Sequence, residues 1–245
     1  MRVSSITKNA GKACNNRLYR HIRTFEKIIK NYFVISPKLT GIFEQLQSTL
    51  RKFDFSDIKE KELYSKVQSI NPKQDIVLED IEWLYEDYEK LSDVFDGLDS
   101  DFSFLDSELA NYLKKIIYSR NIAKREKIVI LISHIEKLIE ECLDESFGKS
   151  GIKQEVKNAI NSKLDKVTGA NIGRCYILAI TNIVFARTDA FNDEIDKRIP
   201  FRNHILHNGI YQYSDSEISQ MYFVLLSFIK NILIGGWAIK YEAFD

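Results

Sequence analysis

Ten glycines and three prolines are all that 245 residues offer for reversing direction. A β-rich chain of this length needs many tight turns, and tight turns draw on those two residue types. Long helices with short connections are what remains, and apolar residues recur at spacings of three and four along most of the chain. The expected fold class is all-α. With 44% hydrophobic residues the chain can form one large helical domain or two small ones sharing an interface.

Periodicity predicts where the helices lie. Residues 17–33 place Leu18, Ile22, Phe25, Ile28, Ile29, Tyr32 and Phe33 on one stripe. Ser36-Pro37 marks a boundary, and a second helix over about 37–50 carries Leu39, Ile42, Phe43, Leu46 and Leu50. A weaker helix over about 57–69 ends at Asn71-Pro72. Residues 78–96 form a clearer one, with Leu78, Ile81, Leu84, Tyr85, Tyr88, Leu91, Val94 and Phe95 at helical spacing and an acidic outer face. A turn-rich break from Asp96 to Asp101 precedes a helix over about 104–119.

From about Arg120 the character changes, and residues 120–245 read as a helical bundle preceded by a helical region, 1–119, of unassigned role. Residues 124–145 carry Ile128, Leu131, Ile132, Ile135, Leu138, Ile139, Cys142 and Leu143, a spine for a bundle. Helices over about 152–164 and 172–195 follow. Ser214-Asp215-Ser216-Glu217 fits a capping box, the final helix runs through Ile218, Met221, Leu225, Phe228 and Ile232, and Gly235-Gly236 is expected to stop it.

Charge is balanced, 35 basic against 35 acidic side chains, so net charge makes no case for nucleic acid. The distribution is uneven. Residues 1–30 hold eight Lys or Arg against Glu26 alone, and residues 75–108 hold thirteen acidic groups against Lys90 alone. These segments are either solvated faces that partly neutralise each other or, for the first, an arm that touches RNA phosphates. Three scattered cysteines without CxxC spacing, and no apolar leader, point to a reducing cytoplasm. The apolar stretch from Tyr222 to Ile239 is interrupted by Ser227, Lys230 and Asn231, which suits a core helix better than a membrane span.

Two apparent motifs fail. Gly148-Lys149-Ser150 resembles the end of a phosphate-binding loop, but the glycine needed five residues earlier is Leu143, and no strand precedes it. His204 and His207 are spaced to face one metal ion, yet no acidic or cysteine ligand sits at motif spacing, so no metal and no cofactor is expected.

Chemistry concentrates in Arg198-Ile199-Pro200-Phe201-Arg202-Asn203-His204-Ile205-Leu206-His207-Asn208-Gly209. Pro200 favours a fresh helical turn and Asn208-Gly209 stops it; Phe201, Ile205 and Leu206 are expected to point inward. Asn203 and His207, four apart, share a face, with Arg202 about 100° to the side. An Arg fork matches phosphate oxygens and the charge of a transition state. Histidine titrates near neutrality and can take a proton from a ribose 2′-OH or give one to the leaving oxygen. One histidine cannot easily do both in one step, and a two-fold dimer would supply the second copy.

Arg202-Asn203-x3-His207 resembles the R-N-x3-H form of the R-x4-6-H motif of HEPN (higher eukaryotes and prokaryotes nucleotide-binding) domains, over about residues 120–240. The Lys124–Glu145 segment, with Glu136 amid its apolar run, is similar to the first long helix of several bacterial HEPN families. The resemblance implies a metal-independent endoribonuclease of a toxin–antitoxin, abortive-infection or phage-defence system, acting as a homodimer on RNA. Arg202 and His207 would be catalytic and Asn203 would assist. Arg198 and His204 form an overlapping match that stands as an alternative or supporting pair, and Lys197 and Asn208 are candidate RNA contacts. Subgroups with an added tyrosine carry it two residues after the histidine, where this chain has Gly209. The region 1–119 is a candidate docking surface for an antitoxin or regulatory protein, and the acidic stretch at 75–108 is expected to face away from the pocket. Competing readings are a non-catalytic RNA- or nucleotide-binding module and a helical protein-interaction scaffold.

Overall fold

The structure, a computed structural model, describes residues 65–67, 69–70, 76–85, 91–99, 101–144, 169–186 and 195–240. All of them fall in one compact unit, Glu60–Phe244. Among these residues the regular elements are helices and no strand occurs. The helices expected over 17–33, 37–50 and 152–164 lie outside the described residues, as does most of 57–69 and the whole basic segment 1–30.

Residues 65–67 and 69 are helical, and a 3-10 helix, Leu78–Leu84, follows. It is followed by α1 (Leu91–Asp96), α2 (Ser107–Tyr118), α3 (Lys124–Leu143), α4 (Gly169–Val184), the short α5 (Arg202–Asn208), a 3-10 turn at Ile210–Gln212 and the long α6 (Asp215–Lys240). At 26 residues α6 is roughly 39 Å long and forms the axis of the unit. It packs along α4 and α3, while α2 and α5 lean on α3. Ile218, Met221, Leu225, Phe228, Ile229, Ile232 and Leu233 form one buried stripe of α6, and buried Val224, Ser227, Lys230, Trp237 and Ala238 carry burial around its other sides, the mark of a helix surrounded by others. By length and composition α6 could cross a membrane, and 67% of its most apolar window is buried inside the unit.

Polar groups tie the smaller elements to this frame. The Asp106 carboxylate accepts from the Glu108 and Leu109 N–H groups at the start of α2 (2.7 and 3.2 Å), and the Asp106 N–H donates to Glu141 on α3 (2.7 Å). Buried Lys127 donates to the Ile117 carbonyl at the open end of α2 (2.7 Å) and stands over the Tyr222 ring; burial lowers its pKa. Asn231 on α6 donates to the Leu84 carbonyl (2.6 Å), satisfying the end of the 3-10 helix. Described elements on the two sides of residue 120 thus share one core.

Four boundaries differ from the periodicity. The segment 78–96 is not one helix: residues 78–84 wind as 3-10, and Tyr85 leaves the helical region at φ −136°, ψ 15°. Its hydroxyl turns back to donate to the Leu78 carbonyl (3.3 Å). The helix starting at Lys124 ends at Leu143 because Asp144 turns left-handed at φ 57°. The helix expected over 172–195 begins at Gly169 and ends at Val184.

The fourth difference is the largest. Gly235 and Gly236 do not stop α6, which continues to Lys240. They are where other helices come closest. A Cβ on Gly235 would stand 2.8 Å from the Gly173 carbonyl oxygen, and one on Gly173 would stand 2.6 Å from the Gly235 carbonyl oxygen. A Cβ on Gly236 would meet the Cys142 sulfur at 2.6 Å. Glycine serves here by having no side chain, so that α4 meets α6 backbone to backbone. Cys142 and Cys175 are buried, and burial pushes the Cys142 thiol well above its ordinary pKa.

Candidate functional site

Asp196 organises the approach to α5. Its carboxylate accepts from the Leu78 N–H (2.9 Å), the Arg198 N–H (3.0 Å) and the Arg198 guanidinium (2.8 and 2.6 Å). Burial alone would raise its pKa, but those hydrogen bonds hold it below the usual carboxylate range. Arg198 also pairs with Glu79 on the 3-10 helix (3.0 Å). The two carboxylates raise the Arg198 pKa further and engage its fork. The acidic segment 75–108 therefore does not turn wholly away from the site: Glu79 reaches the loop that leads into it.

Phe201 begins α5, whose first backbone bond runs from the Ile205 N–H to the Phe201 carbonyl (3.0 Å). The helix is seven residues long and stops at Gly209, whose φ of 74° suits a residue without a Cβ. Its inward face is Phe201, His204 and Ile205, at 2%, 4% and 2% exposure. Leu206, expected inward, is 39% exposed. The spacing explains the exchange: with Phe201 and Ile205 inward, the third position of that face is 204, and Leu206 falls about 100° away.

His207 is exposed near the end of α5, and among the described residues it makes no hydrogen bond or ion pair. Asn203 is half-buried. Arg202, first residue of α5, lies with its guanidinium 5.6 Å over the Phe185 ring and one Nη 3.8 Å from the Glu136 carboxylate of α3. Its Nε is buried without a hydrogen-bond partner. At 3.8 Å the carboxylate attracts the guanidinium without closing the two short bonds of a bidentate pair, so the fork keeps donors for another oxyanion. Arg198 is held by Asp196 and Glu79, and His204 is buried against Tyr213. Lys197 places Nζ 5.9 Å over the Tyr213 ring. Asn208 is the last residue of α5.

His204 and His207 do not share an environment, one being buried and the other exposed. Among the described residues no group of three or more His, Cys, Asp or Glu is arranged to hold a metal ion. A cleft of about 310 Å³ lies between the starts of α3 and α6, lined by Lys124, Arg125, Asp215 and Ser219 among others. Its cations already bond to Ser219 (3.0 Å) and Asp215 (2.9 Å), and it holds none of the α5 residues.

Sequence reading missed several residues that shape the site. Arg125 donates to the Ile210 carbonyl (2.8 Å) and to Asp215, fastening the turn after α5 to the start of α6; nothing local marks it. Tyr213 did carry a signal. It immediately precedes the Ser214 cap, the position of a hydrophobic staple whose other half is Ile218, and both are 3% exposed. Phe185 was legible only as an apolar position of the helix expected over 172–195, and Asp196 carried no signal. Comparison with family models, curated proteins and solved structures found no match to this chain.

Proposed function

We propose that the chain is a HEPN-like, metal-independent endoribonuclease of a cytoplasmic phage-defence, abortive-infection or toxin–antitoxin system, working as a homodimer. In this reading His207 takes the proton of a ribose 2′-OH, the freed oxygen attacks the adjacent phosphorus, and the bond to the 5′-oxygen breaks to leave a 2′,3′-cyclic phosphate. A second His207, from the other copy, returns a proton to that 5′-oxygen. Arg202 stabilises the charge that gathers on the phosphoryl oxygens, and Asn203 orients the reacting groups by hydrogen bonding.

One observation carries the reading: a single seven-residue helix holds an exposed histidine and an arginine whose guanidinium is propped on Phe185 and stands 3.8 Å from Glu136, short of a close bidentate pair. The same geometry favours Arg202 and His207 over the overlapping pair, because Arg198 is engaged by two carboxylates and His204 is buried. The all-α setting and the capped helix after the motif agree with the resemblance. The test is cleavage of total RNA with EDTA present, wild type against His207→Ala. Products from wild type alone are expected. Intact RNA with wild type would sink the proposal, and tight RNA binding without products would replace the enzyme with a binding module.

A further inference from the structure

The inward face of α5 carries a polar residue where a core-facing helix calls for an apolar one. His204 sits between Phe201 and Ile205 on that face and is 4% exposed. Its Nδ1 is hydrogen-bonded to the Tyr213 hydroxyl, and the two rings stack with centroids 5.7 Å apart at 24°. Tyr213 is 3% exposed, and Lys197 Nζ stands 5.9 Å over its ring. Three segments meet at one phenol: the loop before α5, α5 itself, and the residue leading into the Ser214 cap of α6. Burial, reinforced by the charge of Glu217, keeps that phenol protonated far above neutral pH. A protonated phenol can donate to an unprotonated Nδ1, which places the proton of a neutral His204 on Nε2.

A helix of seven residues has too few internal hydrogen bonds to hold itself in place. Packing of Phe201 and Ile205 resists its removal from the core but is non-directional, so it tolerates a small roll about the helix axis. A buried hydrogen bond does not, because its strength falls steeply with angle. Arg202, Asn203 and His207 ride on the same helix, and a roll would carry them off target together.

We propose that the buried Tyr213–His204 pair is a positioning clasp that sets the roll of α5 and so aims Arg202 and His207 at the scissile phosphate. The inference rests on the nuclease reading above; neither member of the pair touches RNA.

Tyr213→Phe removes the hydroxyl while keeping the ring, the stack and the Lys197 contact. It is expected to lower kcat on RNA roughly 10- to 100-fold with KM changed less than about twofold, the pattern of lost aim rather than lost binding. Combining it with His204→Phe removes both members of the pair and refills the space with an apolar ring, so kcat should stay low whatever the melting temperature. If kcat recovers along with stability, the pair only packs and the proposal falls; it falls equally if Tyr213→Phe retains wild-type kcat. In parallel, the ring signal of His207 in histidine-labelled protein is compared between wild type and Tyr213→Phe. A displaced signal supports the clasp and an unchanged one overturns it, even if wild type cleaves no RNA, an outcome that would remove the nuclease reading by itself.

Discussion

The crossing of α4 with α6 and the exposed edge of α5 are built from opposite materials. At the crossing Gly173 and Gly235 bring two backbones together with no side chain between them, inside a shell of buried isoleucines and leucines. Along α5 the groups are large and polar, some of them exposed, held by Glu136, Phe185 and Tyr213 from three other places in the chain. Dry packing tolerates no added atom but leaves nothing free to react. Polar fastening is more forgiving of substitution, and it leaves a cation and an imidazole facing outward. Stability should therefore be most sensitive at the crossing and activity most sensitive at α5.

Arg202→Ala should show the largest effect. Losing the fork is expected to lower RNA cleavage by roughly 100-fold or more while moving stability little. Arg198→Ala should do the reverse, costing about 1 kcal/mol because the Leu78 N–H and the backbone N–H of residue 198 still serve the Asp196 carboxylate, with kcat largely kept. Urea melts and initial rates on the same preparations check both. A large rate loss in Arg198→Ala with Arg202→Ala active would transfer the chemistry to the overlapping pair.

Gly173→Ala tests the other region, and its sign is diagnostic. In an unopposed helix alanine is favoured over glycine by roughly 0.5–1 kcal/mol. Here the new Cβ would lie 2.6 Å from a backbone carbonyl oxygen, and a loss of about 1–3 kcal/mol is expected as the helices separate. A denaturation midpoint at or above wild type would mean that α4 and α6 are free to move apart. Cleavage per folded molecule should be unaffected.

These two regions were not equally legible in the sequence. Spacing of three and four was enough to find α2, α3 and α6, and Ser214 to Glu217 was enough to find where α6 starts, because each signal lies within one helix. Gly235-Gly236 misled, since two glycines after an apolar run mark a stop unless a partner backbone needs the space, and that partner is Gly173 on another helix. The site shows the same divide. Gly209 was legible as the stop of α5 and Asn203 favoured Arg202, but nothing local showed that Arg198 is engaged by Glu79 and Asp196. His204 was read as chemistry because of its residue type, whereas its place on the face of Phe201 and Ile205 makes it part of the core.

Ser214→Ala probes the join between the regions, because the cap of α6 begins one residue after Tyr213. The Ser214 N–H and hydroxyl both donate to Glu217 (2.7 Å each), and the Glu217 N–H donates back to the Ser214 oxygen (3.3 Å). Loss of the hydroxyl should cost about 1 kcal/mol. The Ser214 side chain, then its backbone, hold the Glu217 carboxyl below its ordinary value. A carboxyl lowered in the folded state contributes stability above its unfolded pKa of about 4.5, lost as pH falls through the folded value. Wild type should thus lose stability on acidification below that point more steeply than Ser214→Ala. Parallel acid melts would argue against the box.

Leu206→Gln should have the smallest effect, and it divides the two regions most directly. A leucine pointing into the bundle would cost roughly 2–5 kcal/mol when truncated in the core. Leu206 is 39% exposed, on the side of α5 away from Phe201 and Ile205, so its replacement by a polar residue of similar length should move stability by no more than about 0.5 kcal/mol. A loss of several kcal/mol would mean that α5 is rolled from the orientation described. His204 would then leave Tyr213, and Arg202 and His207 would be turned from the orientations described. The melting midpoint of this variant therefore tests the azimuth of the helix on which the proposed chemistry depends, independently of any RNA substrate.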